Sequence, residues 1–274
     1  MADTPAGARG DGRAMTGDDS RIDADAVAGQ VRRFFVSGAG ATERLIVRGD
    51  AAHRMLRVLR LRPGDTVEVF DGSGRSWPAT IAAADRVAVQ LALGGVRRHP
   101  PAPRTVLCAA LIRPNRFEWL VEKATELGVS AIRPVLTEHC AVRVTEIGAT
   151  RLERWRRIAT EAAEQCGRVT LPDLESPVSF SDALARAEGR TFLAAEPAHG
   201  AAPPFGQALR GIDSRPVTIL IGPEGGLTAE EVRQAERADA QAVSLGPLVL
   251  RAETAALAAL AILADARLAG RAAG

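Results

Sequence analysis

The spacing of apolar positions changes part-way along this 274-residue chain. Beyond about residue 100, short apolar runs alternate with stretches of helical period. Residues 105–112, 131–137, 190–195, 217–221 and 242–245 read as buried strands. Residues 115–127 read as a helix, because Phe117, Leu120, Val121, Ala124 and Leu127 share one face. Asn115 with Glu118 is predicted to form its capping box and Gly128 to stop it. Further helices are expected near 150–165, 180–187 and 228–238, the last with Thr228 and Glu231 as a second capping box. This alternation predicts an α/β fold, a mostly parallel sheet with helices on both faces. Before residue 100 the pattern shortens to period two. Residues 31–36, 66–70 and 87–91 are strand-like with turn residues between them, which predicts a small β-barrel.

Proline and charge mark the joins. Arg97-Arg98-His99-Pro100-Pro101-Ala102-Pro103-Arg104 reads as extended, because proline fixes φ and pushes its predecessor out of the helical region. The predicted organisation is a disordered tail at 1–30, a barrel at 31–98, a linker at 99–104 and a second domain at 105–274. The tail holds six aspartates and three arginines with few large apolar groups, which leaves it too little to bury. Residues 31–100 carry twelve arginines against six carboxylates. Arg54, Arg57 and Arg60 fall three apart, so a helix there would present them as one stripe, either to solvent or to phosphates.

Lys123 is the sole lysine among 35 basic residues, and an arginine-rich surface suits RNA, since guanidinium binds phosphate bidentately and stacks on bases. Cys108, Cys140 and Cys166 are widely spaced without a C-x-x-C pair, which supports neither a disulfide framework nor a zinc site. A reducing cytoplasm is the expected compartment. The four histidines lack metal spacing, and no run reads as a signal peptide or membrane span.

Two strand-to-helix elbows near the carboxyl end carry the most chemical information. Val217-Thr218-Ile219-Leu220-Ile221 runs into Gly222-Pro223-Glu224-Gly225-Gly226, and Ala242-Val243-Ser244-Leu245 runs into Gly246-Pro247, then Leu250-Arg251-Ala252-Glu253-Thr254-Ala255. Ligands of α/β proteins bind where loops leave the carboxyl ends of strands, and glycine admits close backbone approach. Neither elbow is a Walker loop or a G-x-G-x-x-G site. One small-molecule pocket built from both is expected; the alternative for either alone is glycine that merely ends a strand.

These elbow residues resemble the signature of the 16S ribosomal RNA uracil-N3 methyltransferases (RsmE), members of the knotted SPOUT superfamily. The likeness continues upstream in Gly64-Asp65, Phe70-Asp71-Gly72-Ser73-Gly74, Glu122-Lys123-Ala124-Thr125-Glu126-Leu127-Gly128-Val129 and Glu164-Gln165-Cys166-Gly167-Arg168, and spans roughly residues 31–268. It implies a small PUA-like RNA-binding barrel before a trefoil-knotted methyltransferase domain, S-adenosyl-L-methionine as cofactor, 16S rRNA as partner and a homodimer without metal. Cofactor contacts would fall on Ala195, Glu196, Gly222, Glu224, Gly225, Leu245, Gly246, Leu250, Glu253, Thr254 and Ala255. Glu224 serves equally as a brace within its own loop, Glu253 suits the helix dipole, and Thr254 is a candidate helix cap. Arg251, with Arg33 from the small domain, is the expected pair stabilising the uracil as it becomes anionic. Arg33, Arg54, Arg57, Arg60 and Arg168 are the candidate RNA contacts.

Leu248 stands where the family commonly has a basic residue, and Ala252 replaces a frequent threonine. Cys166 is expected to be a packed or lining thiol, since N3 methylation needs no covalent adduct. A methyltransferase with another RNA target and a catalytically silent rRNA-binding protein remain the alternatives.

Overall fold

The computed structural model describes residues 31–140, 148–194, 202–212 and 214–272. The tail at 1–30, and with it the expectation of disorder, lies outside the described residues. The front half builds one strongly bent sheet from β1 (Arg33–Phe35), β2 (Arg44–Arg48), β3 (Thr66–Phe70), β4 (Arg75–Ala84), β5 (Ala88–Leu93) and β6 (Arg97–Arg98). Its order is β1-β3-β4-β5-β2, with β6 on β4 and only β1–β3 parallel. Phe34, Val47, Met55, Val69, Trp77 and Leu91 fill the bend. Trp77 leaves no room above it: a Cβ on Gly40, which sits at φ +86°, would come 2.2 Å from the indole ring.

Helix α1 (Gly49–His53) crosses the bend and continues into a π-helical turn, Arg54–Val58, whose wider coil is marked by the Leu59 N–H to Arg54 carbonyl bond of 2.9 Å. Arg60 lies beyond it at φ +54°. The predicted stripe of Arg54, Arg57 and Arg60 therefore does not form. A π-turn rotates side chains out of the i, i+3 register, and Arg60 is outside the helix altogether.

The second half alternates as its pattern predicts. In chain order it runs β7 (Thr105–Ala110), α2 (Pro114–Glu126), β8 (Ala131–Leu136), α3 (Ala149–Cys166), β9 (Asp173–Leu174), β10 (Val178–Ser179) and α4 (Phe180–Ala185). It continues with β11 (Arg190–Ala194), α5 (Phe205–Ala208), β12 (Val217–Ile221), α6 (Ala229–Arg237), β13 (Gln241–Val243) and α7 (Ala252–Ala272). The strands are all parallel, in the order β10-β8-β7-β12-β11-β13 with β9 on β8. One face packs on Phe117, Leu120, Trp155, Phe205 and Leu260, the other on Val106, Phe180, Leu193 and Leu220. Strand β12 enters between β7 and β11, and α7 then comes back to pack on α2, β7 and β12.

The two expected capping boxes part company. At α6 the Thr228 Oγ1 accepts from the Glu231 N–H at 3.2 Å while Glu231 accepts from the Thr228 N–H at 2.8 Å. At α2 the box is absent: the helix starts one residue early, with Arg113 as N-cap and Pro114 at the first position, so Asn115 is already inside. Glu118 instead pairs with Arg154 at 2.6 Å. Gly128 does end α2, at φ +83°, with the Val129 N–H returning to the Ala124 carbonyl at 3.1 Å.

Residues 99–104 join neither sheet, yet the halves are clasped elsewhere. Glu164 of α3 accepts from the Phe35 N–H at 2.8 Å and from Arg54, and Phe35, Phe70, Ala163, Val169 and Leu171 form a small apolar cluster around it. Backbone bonds from Gly74 N–H to the Val169 carbonyl (3.1 Å) and Leu171 N–H to the Gly72 carbonyl (3.0 Å) close the join.

Candidate functional site

The two elbows leave the carboxyl ends of β12 and β13, the strands flanking β11, and they meet over a hollow of about 240 Å³. Leu193 and Ala194 form its floor, Gly222, Pro223 and Glu224 one wall, and Leu245, Gly246, Leu250 and Ala255 the other. Most of this lining is backbone and aliphatic carbon. Gly246 sits at φ +132° with nothing within 4 Å of where a Cβ would stand, so the backbone there is bare toward open space. Leu248 and Val249, 73% and 79% exposed, form an apolar rim.

The first elbow is braced from outside. The His139 Nδ1 lies 3.0 Å from the Gly225 carbonyl and 3.1 Å from that of Gly226, a geometry that needs Nδ1–H as donor. A Cβ on Gly225 would come 2.9 Å from the His139 Cβ, so Gly225 serves this packing. Glu231, beyond its capping role, accepts from the Glu138 N–H at 2.9 Å and ties the start of α6 to the loop after β8.

Of the expected cofactor residues, Gly222, Glu224, Leu245, Gly246, Leu250 and Ala255 line the hollow. Gly225 stands behind it, and Ala195 and Glu196 lie outside the described residues. Glu253 is 6% exposed and turned toward Arg116. Thr254 is exposed within the first turn of α7, which starts at Ala252, so it does not occupy the cap position. Arg251 is exposed just ahead of that helix.

The expected RNA contacts divide. Arg57 and Arg60 are exposed. Arg33 sits at the join between the halves: its Nε pairs with Glu68 at 2.6 Å and its guanidinium lies against Gly167. Arg54 pairs with Glu164 and sits 5.8 Å over the Phe34 ring. Arg168 is half-buried and donates to Thr170 Oγ1 (2.9 Å) and the Thr125 carbonyl (3.1 Å), and burial pulls its pKa below the ordinary arginine value. Cys166 is exposed rather than packed, whereas burial pushes the Cys108 thiol up to about 11. Sequence reasoning gave no role to His139 or Arg116. Only the partners supplied by distant segments distinguish them.

Among the described residues no three His, Cys, Asp or Glu side chains gather as a metal would need, and no helix is long and apolar enough to cross a membrane. Residues 99–264 match the RNA methyltransferase domain and residues 47–93 the RNA methyltransferase PUA domain. The ribosomal RNA small subunit methyltransferase E of Synechocystis is 37% identical over 212 residues, 76% of this chain and 69% of that protein. The chain belongs to the ribosomal RNA small subunit methyltransferase E family. The family's Mycobacterium tuberculosis member is 30% identical over 78% of this chain and 84% of its own. The Neisseria gonorrhoeae member, solved bound to S-adenosyl methionine, superposes with a TM-score of 0.76 at 30% identity, covering 87% of this chain and 98% of that one. A Legionella pneumophila methyltransferase, solved with bound S-adenosyl methionine, gives 0.79 at 29% identity over 87% and 99%. The fold of this family member is the SPOUT arrangement, a trefoil-knotted α/β methyltransferase domain behind a small PUA-like barrel.

Proposed function

We propose that this protein is an S-adenosyl-L-methionine-dependent methyltransferase that acts on N3 of a uridine in 16S rRNA, as a cytoplasmic homodimer. The observation that carries the reading is the hollow shared by the two elbows. Its walls fit the cofactor. Bare backbone at Gly246, facing Gly222 across the hollow's lining, suits a flat base and its polar edge, Leu245 and Leu250 an apolar slot, and the Glu224 carboxylate a cation nearby. When bound, the cofactor supplies an already activated methyl group. What is left to the protein is to orient the uracil, keep competing water out and favour loss of the N3 proton.

Arg251 stands exposed beside the hollow and is assigned to the uracil oxygens. Exposed Arg57 and Arg60 on the barrel suit phosphate contacts. The PUA domain match and the family's own substrate name support RNA as the partner. Exposed Leu248 and Val249 at the rim are apolar surface that a second subunit would cover.

Mass spectrometry of 16S rRNA from cells lacking the gene tests the reading. One N3-methyluridine should disappear and return when purified protein and cofactor are added to subunits from those cells. Persistence of every such nucleotide, or a returned methyl group on another atom, defeats it. Light scattering should give twice the chain mass.

A further inference from the structure

Three charged side chains meet at the edge of the hollow, one of them, Glu224, from its wall. Arg116, in the first turn of α2, places Nη1 3.0 Å from Glu224 Oε1 and Nε 3.7 Å from Glu253 Oε1. Glu224 belongs to the first elbow and Glu253 to the helix that follows the second. One guanidinium therefore bridges both elbows.

The bridge is costly as a structural device. Glu253 is 6% exposed, and its Oε2 is buried with no hydrogen-bond partner among the described residues. An unsatisfied buried carboxylate oxygen destabilises the fold, and an apolar side chain of similar volume would pack there without that penalty. The dipole of α7 accounts for a negative charge in its first turn but not for sinking it against an arginine. Arg116 is itself 30% exposed, so its guanidinium is not a sealed plug, and Nη2 makes no hydrogen bond among the described residues. A guanidinium hydrogen-bonded through Nη1 to exposed Glu224 and ion-paired through Nε with buried Glu253 has a restricted orientation, and both N–H groups of its Nη2 are left to donate. Arg113, three residues before it, and Arg251, two before Glu253, are both exposed, so the local arginines outnumber the carboxylates.

We infer that Arg116 is a catalytic residue: its free Nη2 donates to a uracil carbonyl flanking N3, with Glu224 and Glu253 as the groups that position it. This rests on the N3 reading above. The N3 proton passes to water, the nitrogen pair so freed forms the new N–C bond, and the pair of the broken C–S bond returns to sulfur. Charge builds on the carbonyl oxygens before the methyl arrives, where a donor fixed in advance is worth most.

Arg116→Ala, Arg116→Lys and Glu253→Gln test this through cofactor binding by calorimetry, thermal midpoint, and single-turnover methylation of small subunits across pH. Arg116→Ala should keep cofactor affinity within about threefold yet methylate about 100-fold more slowly near neutral pH. That deficit should shrink as pH rises into the range where uracil ionises without help. Arg116→Lys, which keeps the charge but not the fork, should recover part of the rate. Glu253→Gln, which keeps the volume, should lose about tenfold through looser positioning. A pH-independent deficit in Arg116→Ala, matched by an equal loss of cofactor affinity or midpoint, would reduce Arg116 to a clamp and overturn the inference. The product of the unaltered enzyme decides the other question: N3-methyluridine with an unimpaired Arg116→Ala sinks this role alone, whereas a different product sinks the N3 reading and this role with it.

Discussion

Replacing Arg54 by alanine should unfold the protein more readily without changing how it meets RNA. Arg54 reads from sequence as a phosphate contact, but its guanidinium clasps Glu164 across the join between the two halves. The Glu164 side chain is only 8% exposed and keeps one further donor, the Phe35 N–H at 2.8 Å. Removing one partner of a buried ion pair costs about 3–5 kcal/mol, because the other charge is stranded. Arg54 is 32% exposed, so water reaches the site and the surviving Phe35 bond helps, and about 2 kcal/mol is the better figure. For a chain of this size that lowers the thermal midpoint by about 4–8 °C.

The loss carries a pH signature. Burial raises the Glu164 pKa above 4.5, while the Phe35 N–H and Arg54 pull against it. Without Arg54 it rises further. A carboxyl whose folded pKa exceeds its unfolded one costs nothing below the unfolded value, where both states are protonated, and costs stability as pH climbs through the folded value. The Arg54→Ala deficit should thus be small near pH 4 and full at pH 8. Adding Glu164→Gln should recover about half of it, since an amide is cheaper to bury than a stranded carboxylate. Differential scanning calorimetry at both pH values measures this, with Arg57→Ala as control. Arg57 is exposed, and its loss should leave the midpoint alone while lowering the slope of log affinity against log salt for 16S rRNA by about one. If Arg54→Ala instead lowers that slope and spares the midpoint, the clasp does not hold and Arg54 reaches phosphate.

Gly246→Ala places a side chain at φ +132°, where only glycine is at ease, and adds a methyl group to a residue that lines the hollow. Strain of about 1–3 kcal/mol should add to the steric loss, so calorimetry should show cofactor affinity down by at least about tenfold, and unchanged affinity would mean the second elbow does not face the ligand. Acid should act on the barrel through Glu68. Burial pushes that carboxyl up, but bonds from Ser76 (2.8 Å) and Arg33 and the Arg33 charge outweigh it, and its pKa lies below 4.5. Stability from this group is present above the unfolded value and is lost as pH falls through the folded one. Ser76→Ala removes one of those bonds and should move the acid-unfolding midpoint, followed by tryptophan fluorescence, to higher pH.

What could be read from sequence and what could not follow from how local each signal is. The runs at 105–112 and 217–221 announce β7 and β12 because a strand buried on both faces must be apolar throughout. The elbows announce themselves because a sharp reversal needs glycine whatever surrounds it. Strand β4 has no such signal: Pro78 and a string of alanines argue against a strand, and its neighbours β3, β5 and β6 draw it into one. Strand β2 has the same character, with Arg44 and Arg48 at its ends and pairing to β5 alone. At α2, Pro114 outcompeted Asn115 for the helix start, since a residue without an N–H loses nothing at the first position.

Arginines were the least legible residues, and the reason is physical. A guanidinium binds a carboxylate and a phosphate with the same fork, so sequence says that Arg33, Arg54 and Arg168 will pair but not with what. In this fold α3 supplies Glu164 to Arg54 and its C-terminal Gly167 lies against Arg33, while the end of α2 supplies the Thr125 carbonyl to Arg168. Those arginines are thereby spent on holding the barrel to the body or on bracing the body itself. Arg57 and Arg60 on the barrel and Arg113 and Arg251 near the hollow face outward, as do others on the barrel such as Arg48, Arg62 and Arg98. The join is what makes this division useful. A barrel clasped to α3 at Glu164 stands in a set place relative to the elbows.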